Sequence, residues 1–253
     1  MEIEWGRLSA EALRRQAELG ALVILPVAST EQHGPHLATF VDTILSGEVA
    51  KRAARLMIAQ NQPVVVAPTV WCGLAEHHMP FGGTFTLSFA TYRALLRDLC
   101  SSILRDGFRR VLMLNGHGGN IAGLNVIVGE LTQELNAPIA ATTYWTHAED
   151  AYKDILEDQL SVHHACEAET SAMMAVAPEL VDVSRLPQAV GPVPTKPGSV
   201  LNQPLNRWRS FQEITASGVV GDARKASKEK GERLLDAAAR ALAERLLAGE
   251  PWT

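Results

Sequence analysis

Short apolar runs alternate along this chain with longer segments of helical period. ALVILPVA, residues 21–28, is continuously apolar and short, the pattern of a strand buried on both faces. VVVA at 64–67, RVLML at 110–114 and PIAATTY at 138–144 repeat it. Before the first run, Ser9 is a candidate N-cap for AEALRRQAEL and Gly20 its stop. Residues 43–60 place Ile44, Val49, Ala53 and Met57 on one helical face, and residues 61–63 end that helix. Residues 92–105 and 120–135 predict two further amphipathic helices, a fourth begins near Glu167, and residues 222–248 predict the last. Strands alternating with helices at this spacing predict an α/β fold with a mostly parallel sheet covered on both faces, because parallel neighbours need helical crossovers. No repeat, low-complexity tract or linker interrupts residues 1–253, so a single domain is expected.

Such sheets carry their reactive groups beyond the carboxyl ends of the strands. Four chemically loaded segments lie there: STEQHGPH, WCGLAEHH, NGHGGN and WTHAED. The second opens a stretch rich in Gly, Pro, His and Thr over residues 68–91, and loops of that length inside compact domains tend to be functional. Glu31 and His33, two apart, point to one side if extended. Asp42 reads two ways, as the cap of the next helix or as a metal ligand. His36, between Pro35 and Leu37, reads as structural. His117 sits in a glycine-rich turn that lacks both GxGxxG and a P-loop lysine, so the turn predicts close backbone approach to an ion or substrate, with Gly118 as a substrate contact. His77 and His78 are candidate pocket walls, His78 as a substrate contact. In HHACEAET, Glu167 and Glu169 cannot share a helix face, so one is expected in the site and the other in solvent. Cys166 reads as a small buried thiol.

A formal net charge of -5, with Lys and Arg scattered, leaves no footprint for nucleic acid or an anionic membrane, and points to a small-molecule partner. Three cysteines without CxxC spacing predict a reducing compartment, the cytoplasm by default. The acidic, then amphipathic N-terminus lacks the plan of a signal peptide, and no apolar run is long enough to span a bilayer. Carboxylates with histidines and no ordered cysteine pairs suit Zn²⁺ or Mn²⁺, with Fe²⁺ a further candidate. Several carboxylates beside two histidines suit two divalent ions, which would activate water against an unreactive C–N bond.

Taken in order, LPVASTEQHGPHLATFVDT, GLAEHHMPFGGTFTL, LMLNGHGGN, YW, HHACEAETSAMM and ASKEKGERLL resemble the creatininase family over nearly the whole chain. The resemblance implies a three-layer α/β domain, a homo-oligomer, often a hexamer, and a dinuclear metal hydrolase acting on cyclic or linear amides. It makes Glu31 and His117 ligands of one ion, His33 a ligand of the other and Asp42 the bridge. It makes His164 the proton donor or acceptor near the scissile bond, and Trp145 one of two tryptophans enclosing the substrate. The second tryptophan falls at Leu160 here. Where creatininase carries a glutamate two residues after the turn histidine, this chain has Gly119, and Glu169 is the expected replacement. Both departures argue against creatinine as substrate. Branches with NGHGGN-type turns include deformylases and peptidases of cofactor biosynthesis. A hydrolase opening an oxidised sugar or cyclitol ring on the same metals, and a non-catalytic small-molecule binding protein, stand as alternatives.

Overall fold

A computed structural model describes residues 1–157, 159, 161–194, 205 and 207–252 of the chain. Among the described residues four strands, β1 (Leu22–Val27), β2 (Val64–Val66), β3 (Val111–Asn115) and β4 (Ile139–Thr143), form one parallel sheet in the order β2-β1-β3-β4. Val23 pairs with Val65 on one side and Val111 on the other, and Val111 with Ile139, so β1 and β3 are central. Every residue of β1 is buried, which is why its sequence reads as an unbroken apolar run.

The pleat divides those residues between two cores. Leu22 and Ile24 of β1 face the cluster built by α2 (Val41–Ala59), α6 (Glu167–Val176) and α7 (Lys228–Leu247). Val23, Leu25 and Val27 face the other, built chiefly by α3 (Phe89–Arg105) and α4 (Ile121–Leu135). The molecule is therefore a helix–sheet–helix stack, the α/β arrangement that the alternation of elements predicts. The remaining helices are α1 (Ala10–Glu18) and the short α5 (Glu149–Lys153).

Helix starts differ from the sequence reading in informative ways. Ser9 caps α1, accepting from Ala12 N–H at 3.2 Å, and Gly20 takes φ 74° after its end. α3 starts three residues earlier than predicted because Ser88 caps it. α7 starts at Lys228 under a Ser227 cap, while Asp222 caps only a three-residue turn, Ala223–Lys225. α2 begins at Val41 behind Phe40, which makes no side-chain cap, so the capping alternative for Asp42 falls: Asp42 lies inside the first turn with its carboxylate turned elsewhere. Leu160 lies outside the described residues, as do residues 195–204 of 187–204, a stretch whose prolines and glycines predict no regular element. No helix among the described residues is long and apolar enough to cross a membrane.

Candidate metal centre

The loops after β1, β3 and β4 and the N-terminal turns of α2 and α6 converge beyond the carboxyl edge of the sheet. Their polar side chains are buried there: Glu31 is 0% exposed, His33 1%, Asp42 3%, His117 3% and Glu169 5%. Asp42 lies between two imidazoles, its Oδ1 3.1 Å from His33 Nε2 and its Oδ2 3.2 Å from His117 Nδ1. Glu31 Oε2 is 3.1 Å from the same His117 nitrogen, and Glu31 Oε1 is 3.5 Å from His164 Nδ1. Glu169 Oε2 stands 3.8 Å from His33 Nε2. Three candidate ligand groups result among the described residues, Glu31/Asp42/His117, His33/His164/Glu169 and Glu31/His78/His164, the first two joined through Asp42.

The far nitrogens of the three rings decide what the near ones can do. His33 Nδ1 lies 3.1 Å from the Glu31 carbonyl, His117 Nε2 3.2 Å from the Leu74 carbonyl, and His164 Nε2 2.8 Å from the Gln32 carbonyl. A carbonyl only accepts, so each outer nitrogen carries the proton and donates it. A neutral ring then turns a lone pair toward carboxylates that also carry lone pairs. That arrangement is repulsive unless a cation lies between, and a backbone carbonyl on the outer nitrogen is the usual support of a metal-binding histidine. Both Glu31 carboxylate oxygens and Asp42 Oδ2 are buried without a hydrogen-bond partner, which costs free energy unless something compensates them. Nitrogen and oxygen donors with no thiolate fit one or two divalent cations of the Zn²⁺ or Mn²⁺ kind.

Without a cation the cluster holds protons instead. Burial works against a charged His33, yet Asp42, Glu169 and Glu31 push it up to about 9. His117 rises well above its ordinary value against the same burial penalty, through Glu31 and Asp42. Burial, with Asp42 beside it, lifts Glu169 to about 8, and burial also raises Glu31. Asp42 is held low by His33 and His117 in spite of its burial. His164 goes the other way: burial, then the neighbouring His33, keep it well below its ordinary value. It is a neutral base whose Nδ1 faces the centre.

The helical turn decides between the two glutamates. Glu169 enters the cluster and accepts from Ala165 N–H at 2.5 Å. Glu167 is not in solvent as expected; it is fully buried and bonds to Lys230 at 2.5 Å. Cys166 is buried, and burial pushes its thiol up to about 11, so it is no nucleophile. His36 lies outside the cluster, its Nε2 2.7 Å from Thr170 Oγ1.

A cavity of about 340 Å³ opens onto the cluster, and Gly118, Trp145, His163 and His78 all line it. His78 also borders the centre. Its Nδ1 accepts from the Gln32 amide at 2.9 Å, which leaves its proton on Nε2, 3.1 Å from Glu31 Oε1. The ring stands beside that carboxylate without making a hydrogen bond to it. Gly119 has no room for a side chain: a Cβ there would stand 2.4 Å from His117 Nε2, 2.5 Å from the Leu74 carbonyl oxygen and 2.6 Å from His77 Cε1.

Four working residues escaped the sequence reading. Gln32 holds His78 and, through its carbonyl, His164. Phe211 covers both rings, with centroids 4.2 Å from His78 and 4.8 Å from His164. Asn115 brackets His117, accepting its N–H at 3.1 Å and donating to its carbonyl at 2.7 Å. Asn120 donates to Asn115 at 3.2 Å and accepts Leu74 N–H at 2.9 Å. The signal for the last two was present, since the asparagines flank the GHGG turn.

The family model for creatininase, described as creatinine amidohydrolase, matches residues 6–246. Creatinine amidohydrolase of Pseudomonas putida is 28% identical, over 96% of this chain and 94% of that protein. The mycofactocin precursor peptide peptidase of Mycolicibacterium smegmatis is 29% identical over 96% and 92%, and the 3-dehydro-scyllo-inosose hydrolase of Thermotoga maritima 29% identical over 91% and 78%. A crystal structure of creatininase superposes with a TM-score of 0.84 at 25% identity, covering 99% of each chain. A Zn–Zn form of a mutant creatininase (TM-score 0.83, 25% identity, 99% of each chain) and a Mn form (0.79, 25%, 99% and 100%) match likewise.

Proposed function

Since the chain belongs to the creatininase family, whose matched relatives are hydrolases, we propose that it is a divalent-metal-dependent amidohydrolase cleaving a C–N bond of a small cyclic or linear amide. The observation that carries this reading is the buried convergence of Glu31, His33, Asp42, His117 and Glu169, each imidazole held from behind by a backbone carbonyl. Glu31 and His117 would hold one ion, His33 and Glu169 the other, and Asp42 both. Ions there would lower the pKa of water and polarise the amide carbonyl.

The chain's own groups supply the rest. Trp145 and Phe211 wall the cavity and keep bulk water from the bound amide. His164, neutral and anchored through Nε2, accepts a proton at Nδ1 from the attacking water and returns it to the departing nitrogen. General acid–base catalysis of this kind contributes about a hundred- to ten-thousand-fold. The backbone carbonyl of Gln32 keeps the ring in the tautomer that this requires, since it can only accept, and the side-chain amide hydrogens of Gln32, although 3.0 Å from the same nitrogen, go to His78 Nδ1 and the Gly218 carbonyl. The reading extends to one domain working in a homo-oligomer, which light scattering on the purified protein checks.

Gly119 and the cavity, which is roomy for a five-membered lactam, turn the substrate away from creatinine. Linear amides, such as a formamide or a peptide terminus, come first. A second reading, hydrolytic opening of an oxidised cyclitol, is favoured by the likeness to the inosose hydrolase and by Ser161 and Thr146 in the cavity wall. The test is metal analysis of the purified protein, followed by turnover of lactams, formamides, peptides and oxidised cyclitols with and without chelator. Metal-dependent release of amine supports the proposal. A metal-free protein indifferent to Zn²⁺ and Mn²⁺ overturns it.

A further inference from the structure

ASKEKGERLL, conspicuous in the sequence, has no residue in the metal centre, yet it reaches that centre through one contact. We propose that Lys230 and Glu167 are a positioning pair that holds the His164–Glu169 turn against the ligand cluster. The proposal rests on the functional reading only in taking His164 and Glu169 as working groups.

Lys230 stands in the first turn of α7, where a cation opposes the helix dipole. Its place is set by its partners. The ammonium donates to Glu157 Oε1 at 2.5 Å, to Glu167 Oε1 at 2.5 Å and to the Lys225 carbonyl at 2.7 Å, which uses all three of its hydrogens. Glu167 is fully buried at the start of α6 and also accepts Glu157 N–H at 3.1 Å, while its own N–H donates to Gln159 at 3.1 Å. One carboxylate thus ties the chain on both sides of the segment that carries His163 and His164.

The base of this pair cannot slide. A Cβ on Gly231 would stand 1.9 Å from the Ser171 carbonyl oxygen, so α7 packs backbone to backbone on α6, and Ser227 N–H donates to Ser171 Oγ at 3.1 Å. The turn above it is strained: Ala165 has φ 52°, a conformation that an alanine keeps only when its surroundings impose it. Ala165 N–H points at Glu169 Oε2, and the His164 carbonyl accepts Val220 N–H at 2.9 Å. The strained turn is held by Glu169 from the site side and by Glu167–Lys230 from below. Without the ammonium, Glu167 is a buried carboxylate with no counter-charge, which is expensive. Relief comes by turning it outward, which frees the Glu157 amide and lets Ala165 relax. His164 and Glu169 then lose their placement.

Hydrogen exchange read by mass spectrometry, together with Zn²⁺ stoichiometry by equilibrium dialysis, tests this on the wild-type protein, Lys230→Met, Lys230→Arg and Glu167→Gln. For Lys230→Met the expected result is at least tenfold faster exchange over residues 161–169 with β1 and β3 unchanged, and loss of about one equivalent of bound Zn²⁺. Lys230→Arg should recover most of both. Unchanged local exchange and stoichiometry overturn the proposal, and so does acceleration spread evenly over the chain, the mark of a merely stabilising ion pair. If Lys230→Met does not fold, Glu167→Gln, which keeps the shape and removes the charge, is read by the same criteria. A wild-type protein that takes up no Zn²⁺ refutes the functional reading, and the exchange pattern by itself then decides the positioning role.

Discussion

Gly119→Glu places two lines of reasoning in opposition. By likeness to creatininase the new carboxylate completes the second metal site, and metal content and activity should rise. By the geometry here it should do the reverse. The Cβ alone would lie 2.4–2.6 Å from His117, Leu74 and His77, where ordinary contact begins at 3.4 Å. His77 can rotate, but the Leu74 oxygen is backbone and His117 is fixed at both nitrogens. The new atom also enters the space of the His117–Leu74 hydrogen bond, so the ring must give way. Overpacking at such a site costs about 1–3 kcal/mol, and the lost hydrogen bond about 1 kcal/mol more. In a chain of this length that lowers Tm by roughly 4–15 °C. Gly119→Ala, which adds the overlap without the charge, should lose nearly as much. Thermal melts and metal analysis on both variants are the assay. The expected result is a lower Tm and less bound metal in each. Gly119→Glu with wild-type stability and a second tight metal would refute the argument and return the second site to position 119.

Asn115→Ala removes both hydrogen bonds that bracket His117, and should weaken metal affinity about 10- to 100-fold with little change in fold, measured by competition with a chromophoric chelator. The metal-free protein should be most stable near neutrality. His36, His77 and His163, held by burial at about 4, 3 and 4, bind fewer protons folded than unfolded, so stability rises as pH climbs to about 6.5. His33 at about 9 and Glu169 at about 8 bind more protons folded, so their contribution is lost as pH rises through 8 and 9. Urea melts of the metal-free protein from pH 5 to 9.5 should trace that dome, and Zn²⁺ should abolish its alkaline fall; a flat profile contradicts these shifts. Trp145→Ala should raise KM about tenfold or more and lower kcat less, because the indole lines the cavity but offers no ligand atom to the cluster.

The strands and the edge that bears the chemistry were legible because both follow from short-range rules. A strand buried on two faces has to be continuously apolar, and β1, β3 and β4 lie within a residue of the runs that predicted them. Asp42 was legible as chemistry but ambiguous as position, since a helix start and a metal ligand favour the same residue type; the start of α2 at Val41 removes the cap reading. α5, five residues long, has too few positions to show a period. Gln32 and Phe211 were beyond reach for a different reason. Gln32 and Phe211 are 179 residues apart in sequence, and each acts through a ring supplied by a third segment.

Glu167 shows why the remainder stayed hidden. Helical geometry says only that it and Glu169 face different ways, and for a carboxylate not in a site the default is water. That default fails when a cation arrives from a distant segment. Lys230 comes from 63 residues away and makes burial of Glu167 tolerable, so the helix can sink its first turn into the core. Sinking that turn carries Glu169 inward beside His33. The carboxylate that reaches the metal centre and the one that does not are thus placed by a single docking of α7 on α6, and a substitution at either end of the Lys230–Glu167 contact should be felt at the other glutamate.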